Sequence, residues 1–336
     1  MSRLQVLFPF RAAVWHACVA VMMLSVAAAG GAAEPRSWPQ QPIRVVAGQQ
    51  PGSATDNIAR LLAHALSTEL GVSVAVDNRP GAGGRIGAEA VARAAPDGHT
   101  LLVAGASNLV VAAAMEPDLR YDPVKDFVAI GRLAHVQYGF AVHPAVPART
   151  MGELVELARA SPGRLTYVSL GAATTTGYGM ATFLREASVD MLAVEYRGIS
   201  SAIPDVLAGR VDVLFNEIAV LAEQAQAGRL RILAIASPRR AARVPDIPTT
   251  AEQGFPKSVV NAWFGLLAPA GTPAHVLKRL EEAYQTIVRS PAMRSRIEAL
   301  GYVSMADAPG QFAAAIRDEI AVQRATVATG GKASAR

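Results

Sequence analysis

Cysteine is almost absent: Cys18 is the only one in 336 residues, and it lies in an apolar N-terminal stretch. Downstream of it the chain can form no disulfide and offers no thiol nucleophile, so apolar packing must hold any folded part together. A strong charge of one sign is also missing. The 32 basic side chains stand against 27 acidic ones, a formal +5, too mild and too scattered for a nucleic-acid surface. No G-x-S-x-G elbow and no H-E-x-x-H occurs. The histidines beyond the first stretch (His64, His99, His135, His143, His275) are widely separated, and Asp205, Asp212 and Glu217 show no spacing of paired acid–base carboxylates. Catalysis and metal ligation have nothing to stand on here; no catalytic residue, cofactor or metal is expected.

The first 33 residues read as a secretory signal, with Arg3 and Arg11 as the positive flank, residues 12–29 almost wholly apolar, and small residues up to Ala33. A membrane anchor is the competing reading, but the run is short for a span of about 20 residues. Val14, Trp15, His16 and Ala17 before Cys18 do not suit lipidation. A chain starting near Glu34 has 303 residues, and losing Arg3 and Arg11 lowers its formal charge to +3. That length allows two domains, and 51% hydrophobic residues are compatible with a large core.

Short β-rich runs at 43–47, 72–76, 100–104, 165–170, 191–196, 211–215 and 230–236 alternate with helical patterns. Such alternation predicts βαβ units and mainly parallel sheets. Ile58, Leu61, Leu62, Ala65, Leu66 and Leu70 form one helical stripe, which Gly71 can terminate. Two apolar segments, 138–142 and 259–267, interrupt the rhythm and lead into proline turns. They read as strands passing between two lobes, one built from 34–137 plus 260–336 and the other from 143–258. Periodicity cannot show strand exchange, and taken alone it favours two sequential domains joined once.

Two strand-to-helix loops could bind a ligand. In residues 49–56, Gly52 and Ser53 permit close backbone approach, and the following helix start exposes amide N–H groups with partial positive charge. The loop reads as an anion socket or as a capped turn without a ligand, with Thr55 or Asp56 as the expected cap. Residues 169–177 repeat the character with Ser169, Gly171 and three threonines, Thr174, Thr175 and Thr176, before a helix expected from about 175 to 186. Ligands of open α/β sheets bind at such carboxyl ends of strands. A third glycine-rich run, 80–87, fails as a dinucleotide fingerprint because Ile86 occupies the third glycine position. It is read as a turn packing a helix start against the sheet.

Several phrases in order carry a resemblance: PIRVVAGQQPGSATDNIARLL (42–62), RPGAGGRIGAEAVARAAPDGHTLL (79–102), YDPVKDF (121–127), VEYRGISSAIPDVLAGRVDVLF (194–215), RVPDIPTTAEQGFP (243–256) and WFGLLAPAGTP (263–273). The chain resembles the Bug-type substrate-binding receptors of tripartite tricarboxylate transporters over essentially its whole length after the signal. The resemblance implies an α/β, two-lobed periplasmic-binding-protein type II fold, each lobe a mainly parallel sheet flanked by helices, with hinge strands near 138–142 and 259–267. It implies a periplasmic receptor, not an enzyme, holding a small carboxylated solute through backbone amides, hydroxyls and waters. The partners would be membrane permease subunits or a sensor protein, with no nucleic acid, and the receptor a monomer. The binding positions carried over are Gly52, Ser53, Ala54, Thr55 and Asp56 in one lobe and Ser169, Gly171, Thr174 and Thr175 in the other, flanked by Ser107 and Asn216. Gln49-Gln50, Arg85 and Asn216-Glu217 depart from the family's usual residues. Arg85 would either add a charge at the cleft or point to water.

Overall fold

The computed structural model describes residues 38–331; the expected signal with Cys18 and most of the polar tail lie outside the described residues. Residues from 41 onward make one unit, and two sheets organise it. β1 (Ile43–Ala47) is buried at Ile43, Val45, Val46 and Ala47. Burial on both faces marks a strand inside a helix-covered sheet. It pairs in parallel with β2 (Val74–Asn78) on one side and β3 (Thr100–Gly105) on the other. The first sheet runs β11-β4-β10-β3-β1-β2, with β4 (Phe127–Val136), β10 (Ala262–Pro269) and β11 (Val303–Ser304) antiparallel to their neighbours. The second runs β7-β6-β8-β5-β9, from β5 (Tyr138–Val142), β6 (Thr166–Ser169), β7 (Leu192–Glu195), β8 (Val213–Glu217) and β9 (Arg231–Ile235).

In strand direction β1 to β4 agree and β10 and β11 oppose them, while in the second sheet β5 opposes β6 to β9. The reversal has a simple cause. β5 and β10 are the strands entered directly after the chain changes sheets, so each begins at the edge where the other strands end. Both slot into the sheet interior, β5 between β8 and β9 and β10 between β3 and β4.

The crossings are shorter than the two apolar segments suggested. Val136 still pairs with Ala262 in the first sheet and Tyr138 already pairs with Glu217 in the second, so Gln137 makes the first crossing. The Val260 N–H donates to the Ala236 carbonyl beside the second sheet, and Ala262 is in the first, so Asn261 makes the return. β4 and β11 have no counterpart among the sequence-read strands. In β4, Gly131, Arg132 and His135 break the apolar pattern, and Gly131 has a specific reason: a Cβ there would lie 2.4 Å from the Tyr284 ring.

Helices cover the sheets. α1 (Ala54–Leu70) buries Ile58, Leu62 and Leu66, and Gly71 ends it in the left-handed region at φ 69°. α2 (Arg85–Ala92), the short α3 (Ala112–Met115), α8 (Ala274–Arg289), α9 (Pro291–Ala299) and α10 (Pro309–Gly331) accompany the first sheet. α4 (Met151–Ala160), α5 (Thr175–Ala187), α6 (Ile199–Leu207) and α7 (Ile218–Gln226) accompany the second. The first core holds Trp263 edge-on to Phe312, ring centroids 4.8 Å apart, and the second stacks Phe140 between Phe183 and Phe215 at 4.9 and 4.5 Å. Each aromatic pair contributes about 0.5–1.5 kcal/mol beyond its area. The lobes therefore carry separate cores.

Candidate functional site

Because β1, β2 and β3 are parallel, the loops after them gather at one edge of the first sheet. Glycines lock them together. A Cβ on Gly48 would stand 2.7 Å from Gly84 Cα, and one on Gly87 would be 3.0 Å from Gly48 Cα. Asn108 ties in the third loop: its Oδ1 accepts from the Gly105 N–H at 2.9 Å and its Nδ2 donates to the Gly84 carbonyl at 3.4 Å.

In the loop 49–56, Ser53 is the helix cap, not Thr55 or Asp56; its Oγ accepts the Asp56 N–H at 3.2 Å. The extended backbone of Ser53 puts its hydroxyl over the first turn, whereas Thr55 and Asp56 are already helical. Asp56, 2% exposed, has another task. Its carboxylate accepts from the Gly52 N–H at 2.8 Å, Arg60 Nε at 2.9 Å and Asn78 Nδ2 at 2.9 Å. Burial works to raise its pKa, but those bonds outweigh it and hold the carboxyl below the ordinary aspartate value. The charge is spent shaping the loop. Gly52, at φ 79°, closes the turn, and the first-turn amides of Ala54 and Thr55 have no partner further back in the helix.

The second lobe builds its loop without charge. Thr174 caps α5: its Oγ1 accepts from the Gly177 N–H at 3.1 Å and donates to the Gly171 carbonyl at 2.7 Å. Ser169 Oγ accepts from the Gly171 N–H at 3.3 Å. Gly171 sits at φ 97° with open space where a Cβ would be. Gly177 is needed for contact: a Cβ there would fall 2.2 Å from the Gly171 carbonyl oxygen. Thr175 and Thr176 are buried in the first turn of α5. Asn216, also buried, is the penultimate residue of the neighbouring strand β8, and its Oδ1 accepts the Glu217 N–H at 2.7 Å.

The two loop clusters meet. A Cβ on Gly83 would lie 3.6 Å from Thr174 Cγ2, 3.7 Å from the Ala173 carbonyl oxygen and 4.0 Å from Ser107 Oγ. Gly83 of the glycine run, Ser107 after β3 and the loop before α5 thus converge across the gap between lobes. Sequence reasoning had read the glycine run as packing alone, and it also missed Asn78 and Arg60. The three glycines at 81, 83 and 84 were the available signal, since all three take positive φ, and Gly83 brings bare backbone to the other lobe. Arg85 forms an ion pair with Glu116 and stays partly exposed.

The sequence profile described as the tripartite tricarboxylate transporter family receptor matches residues 58–331. The chain belongs to this family. A UPF0065 protein of Bordetella bronchiseptica is 36% identical over 288 residues, 86% of this chain and 85% of its own. A Rhodopseudomonas palustris protein solved with adipate superposes with TM-score 0.82 at 27% identity, covering 88% of this chain and 99% of its own. MatC of the same organism, solved with bound malate, gives TM-score 0.80 at 29% identity over 86% of this chain and 100% of its own. These tripartite tricarboxylate transporter receptors are periplasmic binding proteins of two-lobed fold, not enzymes. Among the described residues no helix is long and apolar enough to cross a membrane, and no His, Cys, Asp or Glu cluster could hold a metal ion.

Proposed function

We propose that this receptor captures a small carboxylate between its lobes, 34–137 plus 260–336 and 143–258, and hands it to the membrane permease of a tripartite tricarboxylate-type transporter. One observation carries the reading: the glycine loop, locked through Gly84 to Gly48 at the end of β1, comes up against the loop before α5 at Gly83 and Thr174, so helix starts in different lobes, α1 and α5, belong to loop clusters that meet. Carboxylate oxygens suit first-turn amides, which are neutral donors with partial positive charge. The Ala54 and Thr55 amides serve one end, and the Thr175 amide with the Ser169 and Ser107 hydroxyls serves the other; Asn216 flanks them. Gly52, Gly171, Thr174 and Asp56 shape the loops. Each charge-assisted hydrogen bond contributes roughly 1.5–3 kcal/mol, so micromolar affinity, about −8 kcal/mol, needs only a few after ordering costs. Export through a cleaved signal at residues 1–33 and a monomeric state complete the proposal; the family description supports the transport assignment, and the bound malate of MatC supports a carboxylate cargo.

Titration calorimetry of the chain from residue 34 against malate, adipate, citrate and monocarboxylates tests it. Saturable micromolar binding of at least one acid is expected. A folded protein that binds no mono-, di- or tricarboxylate would overturn the reading.

A further inference from the structure

Besides the mouth near Gly83, the lobes touch at a second place, beside the crossings. Glu217 ends β8 directly opposite Tyr138 in β5, one residue after the crossing at Gln137. Its carboxyl accepts from the Tyr302 hydroxyl at 2.8 Å and from the Tyr138 hydroxyl at 3.4 Å. Tyr302 belongs to the first lobe, where it precedes β11 and packs edge-on against Phe264 of β10. Tyr138 belongs to the second, stacked on Phe215. Both tyrosines are buried. The contact is pressed home by Gly301, where a Cβ would stand 2.9 Å from Ala219 Cβ and 3.0 Å from Arg243 Nη1. One acid thus joins phenols from two lobes.

We propose that Glu217 is a proton-sensitive strap across the hinge, holding the lobes together through Tyr302 when its carboxyl is neutral and loosening that hold when it ionises. The inference rests on the reading of two lobes that open and close. Burial raises the Glu217 carboxyl above the ordinary glutamate value, and the two phenol hydrogen bonds only partly offset this. Neutral Glu217 keeps both contacts, accepting from Tyr302 and donating to the Tyr138 oxygen, at no cost for an enclosed charge. Opening parts Tyr302 from Glu217 and hydrates the carboxyl, returning its pKa toward the ordinary value. A group whose pKa is higher in the closed form favours that form on the acid side and ceases to do so as pH rises through the raised pKa.

The other titratable or charged groups facing the strap are few. Tyr138 and Tyr302 are themselves pushed upward, by burial and by Glu217, and stay neutral across the range. Arg243 lies against Gly301 from the segment after β9. His135, on β4 level with Val303, is lowered by burial despite its bond with Asn261. Relief of that burial would favour opening in acid, the opposite sign from Glu217, and the Glu217→Gln variant separates the two.

The chain from residue 34 has no cysteine, so spin labels can be placed at Ile86→Cys and Ser200→Cys, exposed positions on opposite lobes. Electron–electron double resonance is measured without ligand at about pH 5 and about pH 8, then with malate and with adipate. The ratio of short to long distances should fall roughly threefold or more from the acid to the alkaline condition. Glu217→Gln, which mimics the neutral acid, should hold the short distance at both, and Tyr302→Phe should favour the long distance even in acid. A wild-type distribution indifferent to pH, or a Glu217→Gln variant that tracks the wild type, overturns the strap. If malate or adipate shortens the distance while pH does nothing, the strap falls and the moving lobes stand. If nothing changes the distance, both fall.

Discussion

The two strand-to-helix loops proposed to hold the ligand, one in each lobe, are wired by opposite means. The first is organised by a buried charge: Asp56 gathers Gly52, Arg60 and Asn78. The second is organised by a neutral hydroxyl and by glycine contact, with Thr174 at the helix start and Gly177 against the Gly171 carbonyl. A carboxylate ligand adds negative charge to both. The first loop tolerates this because its own carboxylate is already neutralised by Arg60 and held by amides; the second has no charge to repel it. The wiring differs, yet each loop presents the same thing, a helix start with unpaired N–H groups.

The sharpest way to break the comparison is Gly177→Val. Its side chain would collide with backbone 2.2 Å away, displacing the second loop while leaving the first intact. Overpacking of this kind costs about 1–3 kcal/mol, and carboxylate binding should fall below detection in calorimetry while urea denaturation shows the stability loss.

Asp56→Asn is expected to act less severely. It keeps the shape of the acceptor but turns one oxygen into a donor facing either the Gly52 N–H and Arg60 together or the Asn78 amide, a loss of about 1–3 kcal/mol for a buried, charge-assisted set. The pH dependence has a definite sign. A carboxyl with lowered pKa stabilises the fold above the ordinary aspartate value, near 4, and that contribution is lost as pH falls through its lower, folded-state value. Melting curves of the wild type should therefore fall relative to Asp56→Asn below about pH 4; parallel curves would show that the first loop is not charge-wired.

Thr174→Val should give the smallest effect, the loss of one helix cap at about 1 kcal/mol, seen as a lower urea midpoint at unchanged slope. Thr174→Ser, which restores the hydroxyl, should recover most of it. Failure of serine to rescue would mean that the methyl group beside Gly83 matters at this position as well as the hydroxyl.

Much of the architecture was legible because it repeats local patterns. The strand at 43–47, the stripe ending at Gly71 and the helix from Thr175 each rest on neighbouring residues, and the structure has them at those places. β2 starts two residues later than its apolar run, since Val72 and Ser73 still belong to the turn after α1. What stayed hidden depends on distant partners. Gly131 reads as a strand breaker until Tyr284 occupies its open side. Gly83 reads as a turn until Thr174 comes up from the other lobe. Asp56 reads as a cap or a ligand until Asn78, 22 residues on, takes its second oxygen. The family resemblance supplied the two-lobed fold, which periodicity could not choose over two sequential domains.

The placement of β10 bears on how such a chain is assembled. The second sheet is drawn from one uninterrupted stretch and can be complete before synthesis ends. The first cannot, because β3 and β4 are joined only through β10, which is made some 125 residues after β4. Until Trp263 and its neighbours emerge, those two strands present unsatisfied backbone to the surroundings. A polypeptide of this design carries a gap in its oldest sheet until a late strand arrives to fill it.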